Sequence, residues 1–187
     1  MRYNKWKNEY ELNGGAALME TRPVLVIPKS STEKWLDYLS LVILLYSIIY
    51  LILKWSNLPQ TIPIHFNVSG EADGWGSKTT LIILPLFTLA TYTGLNLLRK
   101  IKPDNFNYPV TITKQNAPFI YKTTFIMLSW VKLELVAMLG YVHWSFIQNA
   151  AGLSSGLGIW LLPVTLIIFF STIVHFILKI KKYARSV

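Results

Sequence analysis

Cysteine is absent from the sequence. Disulfides, thiolate nucleophiles and cysteine-ligated metals are thereby excluded, although the absence says nothing about compartment. Charge is scarce as well. Only 14% of the 187 residues are Asp, Glu, Lys or Arg, against about a quarter in a soluble domain. By contrast, 52% are hydrophobic and the mean hydropathy is +0.40. This balance excludes an ordinary soluble domain and implies several membrane spans. Histidine is limited to three residues, with no H-E-x-x-H and no paired helical ligand spacing. No metal centre, cofactor or catalytic residue is expected on that basis, and the chain is read as a non-enzyme. The net charge of +9 would suggest nucleic acid in a soluble protein. Here the basic residues flank apolar runs instead of forming a face, so nucleic acid is not an expected partner and the lipid bilayer is.

Four apolar runs are present, at about 36–55, 80–98, 123–147 and 157–178. Each is long enough to cross roughly 30 Å of hydrocarbon at about 1.5 Å per residue. Ser30-Ser31-Thr32-Glu33 reads as a capping box opening the first helix. Pro85 and Pro163 fall near the starts of the second and fourth, where a helix tolerates proline most readily. Fifteen basic residues lie before the first run, between the second and third, or after the fourth, and only Lys54 and Lys78 lie in the other two connections. By the positive-inside rule both termini are cytoplasmic and the segment between the first two helices faces outward. The expected fold is thus an all-α integral membrane protein of four transmembrane helices, located in the cell membrane. Residues 36–182 form its helical domain, with an outer loop at 56–79. Residues 19–35 are a cytoplasmic N-terminal segment and 183–187 a cytoplasmic tail. Residues 1–18 are polar and aperiodic with no apolar h-region. They are expected to be a non-native or disordered leader ahead of a native start at Met19.

The outer loop is the long polar, glycine-rich stretch of the chain. Pro59 and Pro63 deny it a helical start. Ile62, Ile64, Phe66 and Val68 alternate as an extended strand would. Gly70, Gly74 and Gly76 are expected to supply a compact turn, Asp73 to cap that turn, and Ser77 to cap the second helix. Phe66 and Trp75 are placed as interfacial anchors. His65, Asp73, Glu71 and Ser77 could in principle bind a metal or act as acid and base. The plainer reading, a loop held by its own hydrogen bonds and docked on the outer face, is preferred.

The pattern Pro63-x-His65-Phe66-Asn67-x-x-Gly70-x-x-Asp73-Gly74-x-x-Ser77-Lys78 between two membrane helices resembles a bacterial family of multi-pass membrane proteins without an assigned biochemical function. Its module also opens the SdpI-like immunity proteins, and the resemblance runs from about Arg22 to Lys182. It implies a small multi-pass membrane protein, with an immunity or surface-peptide recognition role as the expected function. His65, Phe66, Asn67, Gly70, Asp73, Gly74, Trp75, Ser77 and Lys78 are its candidate ligand-binding or loop-building residues. A peptide toxin or a partner membrane protein would then be the binding partner.

Three charged residues stand inside apolar runs: Asp37, Lys132 and Glu134. A charge at mid-helix costs about 2.5 to 3.5 kcal/mol on insertion scales, so such residues are seldom idle. At 100° per residue Lys132 and Glu134 point nearly opposite ways. Lys132 shares a stripe with Phe125, Val136 and His143, and Glu134 with Met127, Trp130, Met138 and Tyr141. Lys132 either snorkels to the cytoplasmic interface or pairs with Asp37. The pairing follows from a weak internal repeat in which Trp35 corresponds to Trp130, and residues 72–85 to 150–163, making the chain two parallel helical hairpins. A proton relay through His143, Glu134 and His175 is disfavoured by their separation. The competing functional reading is a small subunit or regulator of a membrane transporter that works through Glu134 and Lys132.

Overall fold

The computed structural model describes residues 22–187. The expected leader at 1–18 and the expected start at Met19 lie outside the described residues. Four long helices are present: α1 (Ser31–Lys54), α2 (Ile83–Leu98), α3 (Ala117–Ala150) and α4 (Leu161–Ala184). With the 3-10 turns that extend α1 and α2, all four are long and apolar enough to cross a membrane. The chain is not all-α, however. Between α1 and α2 lies an antiparallel hairpin of β1 (Thr61–Phe66) and β2 (Ala72–Ser77).

Local chemistry sets the ends of these elements. The Ser30 hydroxyl accepts from the Glu33 amide, and the Glu33 carboxylate accepts from the Ser30 amide, so the expected capping box opens α1. Ser77 caps the 3-10 turn Lys78–Ile82 that leads into α2. Pro85 and Pro163 each stand third in their helices, where the missing N–H has no intrahelical partner to lose.

α3 is the axis of the bundle. It contacts α1, α2 and α4, whereas α4 leans on α3 alone among the stronger helix contacts. α1 and α3 run parallel in a fixed register. Asp37 meets Lys132 and Ser47 meets His143, at sequence separations of 95 and 96. Between these two contacts Gly140 lets α1 close in: a Cβ there would lie 2.9 Å from Ile43 Cγ2. Close approach at a small residue is the usual way helices associate in lipid, where no hydrophobic force drives them together. The register also explains the length of α3. Its 34 residues make about 50 Å, and the surplus projects past the start of α1.

That projection is wrapped. Residues 22–30 run extended along it, and Ile112, Ala117, Ile120, Tyr121 and Ile180 form a buried cluster with Leu25, Ile27 and Tyr108 around them. Phe119 stacks on Tyr183 at 3.8 Å between ring centres. The first described residues and the end of α4 therefore share one face, called here the basic face. The opposite, hairpin face has its own core of Leu51, Leu58, Ile62, Leu81, Ile147 and Ala150. Between the two cores the bundle surface is apolar and open, with Ile52, Leu53, Ile83, Leu162 and Ile167 all more than 60% exposed. In water such a surface would aggregate; in a bilayer it is solvated by acyl chains.

Two details of the internal repeat do not hold. Residues 151–160 form turns where the first half has a hairpin, and Gly152 is left-handed (φ +71°) while its expected counterpart Gly74 is not. What does correspond is depth, since Asp37 and Lys132 stand level.

Candidate functional site

The hairpin is built by the residues that the motif singles out. Asn67 closes its turn. The Oδ1 of Asn67 accepts from the amides of Ser69 (2.9 Å) and Glu71 (3.0 Å), and its own amide donates to the Glu71 carbonyl at 2.8 Å. An Asn that takes both bonds replaces a backbone turn with a side-chain one. Gly70 follows at φ +81°, the left-handed region that glycine enters without a Cβ penalty. Val68, expected to continue the strand, stands in this turn and is almost wholly exposed. Gly74 and Gly76, expected in the turn, belong to β2, and neither has a positive φ. Their role is proximity: a Cβ on Gly74 would stand 2.9 Å from His65 Cβ, and one on Gly76 would stand 2.5 Å from Ile64 Cδ1.

Asp73 does not cap the turn. It lies in β2 and its Oδ1 is 2.5 Å from His65 Nδ1 across the strands, with both side chains open to solvent. Among the described residues no group of three or more His, Cys, Asp or Glu converges, so the pair reads as a cross-strand tie.

Docking of the hairpin uses the remaining motif residues. Ile62 is fully buried in the hairpin-face core. Phe66 sets its ring edge-on to Phe146 at 4.9 Å. The buried Lys78 ammonium donates to the carbonyls of Trp55 and Leu58, each at 3.2 Å, and stands 5.1 Å from the Trp55 ring centre. A cation at a helix C-terminus satisfies orphan carbonyls and the negative end of the helix dipole. Gly70 is also the point at which the second connection attaches. The Leu157 amide donates to the Gly70 carbonyl at 3.0 Å, and a Cβ on Gly156 would meet that same oxygen. Trp75, by contrast, remains 60% exposed, Val68 is almost wholly exposed and Ile64 is partly so. Just beneath the hairpin's attachment points at Trp55 and Ile82, α1 and α2 part to leave an apolar groove of about 450 Å³, lined also by Ile48, Leu51, Leu86 and Leu89.

Toward the basic face lies a second constellation. Lys132 is 3% exposed and so does not snorkel; it is consumed inside the bundle. Its ammonium donates to Asp37 and, at 2.9 Å, to Asn96 Oδ1 of α2. Lys29, from the extended segment, pairs with the other oxygen of Asp37. One turn closer to the surface, Arg99 Nε donates to Glu33 Oε2 at 2.7 Å, its Nη2 donates to the Ile27 carbonyl at 2.9 Å, and its guanidinium carbon lies 3.7 Å from the Phe125 ring centre. Each buried charge here has a counter-charge and a further partner, which is the condition for burying it.

Glu134, on the other side of α3, accepts from the Thr172 hydroxyl of α4 at 2.5 Å, and its second oxygen is enclosed without a partner. His143 Nδ1 is 2.5 Å from the Ser47 hydroxyl and its Nε2 is likewise unpartnered. His143, Glu134 and His175 do not meet. Lys29, Arg99, Gly156 and Thr172 gave no signal in the sequence beyond type, because each finds its partner on another helix or connection. Asn96 was legible as a polar residue of the second apolar run suited to helix–helix hydrogen bonding, without its partner. Glu33 was legible only as a cap.

Residues 42–89 match a domain of unknown function, DUF1648. The matched stretch runs from the middle of α1 through the hairpin into α2, so the DUF1648 match covers the hairpin and the groove beneath it. A protein of Archaeoglobus fulgidus described as uncharacterised is 41% identical over 64 residues, covering 34% of this chain and 35% of that protein. The aligned part thus spans about a third of the relative, and the likeness reaches an archaeal protein where the sequence resemblance pointed to a bacterial family. No solved structure matches.

Proposed function

We propose that this is a non-enzymatic, multi-pass protein of the cell membrane that recognises or resists a peptide at its hairpin face. The observation that carries the reading is a folded, docked hairpin that leaves Ile64, Val68 and Trp75 exposed, on the same face where α1 and α2 part at Trp55 and Ile82 to leave an open apolar groove. The motif residues are spent on holding that platform, while its exposed apolar residues are left for an incoming partner. A membrane-active peptide, apolar along one side, suits both the platform and the groove. The resemblance to the SdpI-like immunity module supports the same reading. In this proposal the hairpin face is extracytoplasmic and both termini are cytoplasmic, in keeping with the basic residues clustered at the other face.

The test is genetic. A strain lacking the gene is challenged with peptides secreted by its own wild type, and is complemented with the wild-type gene or with a Trp75→Ser, Ile64→Ser double variant. Protection by the former and not the latter is expected, at equal amounts of membrane-inserted protein. Equal growth of the deleted and complemented strains would sink the proposal. The transporter-subunit reading would use Glu134 and Lys132. Lys132 is already committed to Asp37 and Asn96, which leaves Glu134 alone to carry it.

A further inference from the structure

Three carboxylates are carried by the four helices. Glu33 is met by Arg99, and Asp37 by Lys29 and Lys132. Among the described residues Glu134 has no cation within salt-bridge distance. Thr172, which donates to its Oε1, stands halfway along the 24 residues of α4, about 18 Å from either end. The group therefore lies well inside the apolar layer. Its Oε2 is enclosed by protein atoms and has no hydrogen-bond partner among the described residues. An anion in this position would have one donor for two charged oxygens in a medium that solvates neither. A neutral carboxyl leaves only an ordinary orphan, which costs far less than an orphan charge.

The titratable groups on the elements packed around it do not change this. On α3, Lys132 points to the other side and is engaged by Asp37 and Asn96. On α4, His175 and Lys179 lie one and two turns from Thr172 toward the basic face. His175 sets its ring against Phe176 at 5.3 Å, and Lys179 stands over that same ring. On the lipid side the stripe continues through Trp130 and Tyr141, both exposed to the bilayer at about 40%.

We propose that Glu134 is an intramembrane proton-binding site: its carboxyl holds a proton at neutral pH and is oriented by Thr172, and because the residue as a whole is only partly buried at the seam of α3 and α4, a small movement of its side chain opens it to the lipid there. This inference is independent of the reading of the hairpin face. An apolar carbodiimide, dicyclohexylcarbodiimide, reacts with protonated carboxyls that it can reach through lipid. Applied to the purified chain in detergent at pH 7 and mapped by peptide mass, it is expected to mark Glu134. The adduct should disappear in Glu134→Gln, remain in His175→Ala, and be lost at strongly alkaline pH. A water-soluble carbodiimide should not mark the site. In parallel, the infrared carbonyl stretch of a protonated carboxyl should be present at pH 7 and absent from Glu134→Gln, a near-isosteric neutral change that preserves the fold. Absence of that band from the wild type would overturn the bound proton. A band without an adduct would overturn access from the lipid.

Discussion

Asp37 is shared by two lysines, and the consequences of removing each partner differ. Asp37→Asn leaves Lys132 facing Lys29 with no anion, inside the bundle. Lys132→Met leaves Asp37 still paired with Lys29, which reaches the surface. Breaking a buried pair on one side costs about 3 kcal/mol or more. Asp37→Asn should therefore lower the melting temperature in detergent more than Lys132→Met does. The double variant should lose less than the two separate losses combined. Strict additivity would show that the contact has no energetic consequence. The glycines allow a comparable separation of causes. Gly70 and Gly152 both have positive φ, but a Cβ on Gly70 would meet the Gly158 amide nitrogen at 3.0 Å, while Gly152 faces open space. Alanine at Gly152 should cost only the left-handed penalty of about 1 to 2 kcal/mol. Alanine at Gly70 should cost more and should also loosen the 151–160 connection, readable by hydrogen exchange of the Leu157 amide.

At the scale of elements, one cation ties the hairpin to the end of α1. Lys78 caps the end of α1 from the first residue after β2, so it couples helix to hairpin. Lys78→Met keeps the stem and removes the ammonium. Faster hydrogen exchange across Thr61–Ser77 with little change in α4 is the expected result, and unchanged exchange would mean that Ile62, Phe66 and the Gly70 carbonyl dock the hairpin without the ammonium. Lys78 illustrates how far the sequence could be read. Helix number and approximate extents were legible because apolar runs and the capping box are local signals. The level match of Asp37 and Lys132 was legible because equal spacing from Trp35 and Trp130 encodes equal depth in parallel helices. The strand placement of Gly74 and Gly76 was not, since glycine signals freedom equally for a turn and for a close crossing of two strands. The start of α3 at Ala117 was also missed. Its first turns are sheathed by protein rather than lipid and need no continuous apolar run.

For the whole molecule, orientation is the property that the proposed function depends on, and the absence of cysteine makes it directly measurable. Ser69 at the hairpin tip and Asn107 on the basic face are both exposed. A cysteine at Ser69 should react with a membrane-impermeant maleimide in intact cells, and one at Asn107 only after permeabilisation. The reverse pattern would place the hairpin in the cytoplasm and remove the case for meeting a secreted peptide.

The constant offset between α1 and α3 limits how the two faces can communicate. Sliding α3 along α1 by one turn would part Asp37 from Lys132 and Ser47 from His143 together, and would drive Ile43 off the notch at Gly140. A piston stroke is thus an all-or-none event with no half-way resting place. Tilting α3 about the Gly140 contact moves its two ends in opposite directions while leaving that fulcrum in place. Any signal that a partner delivers to the hairpin would then arrive at the basic face as a lever movement, with its direction reversed.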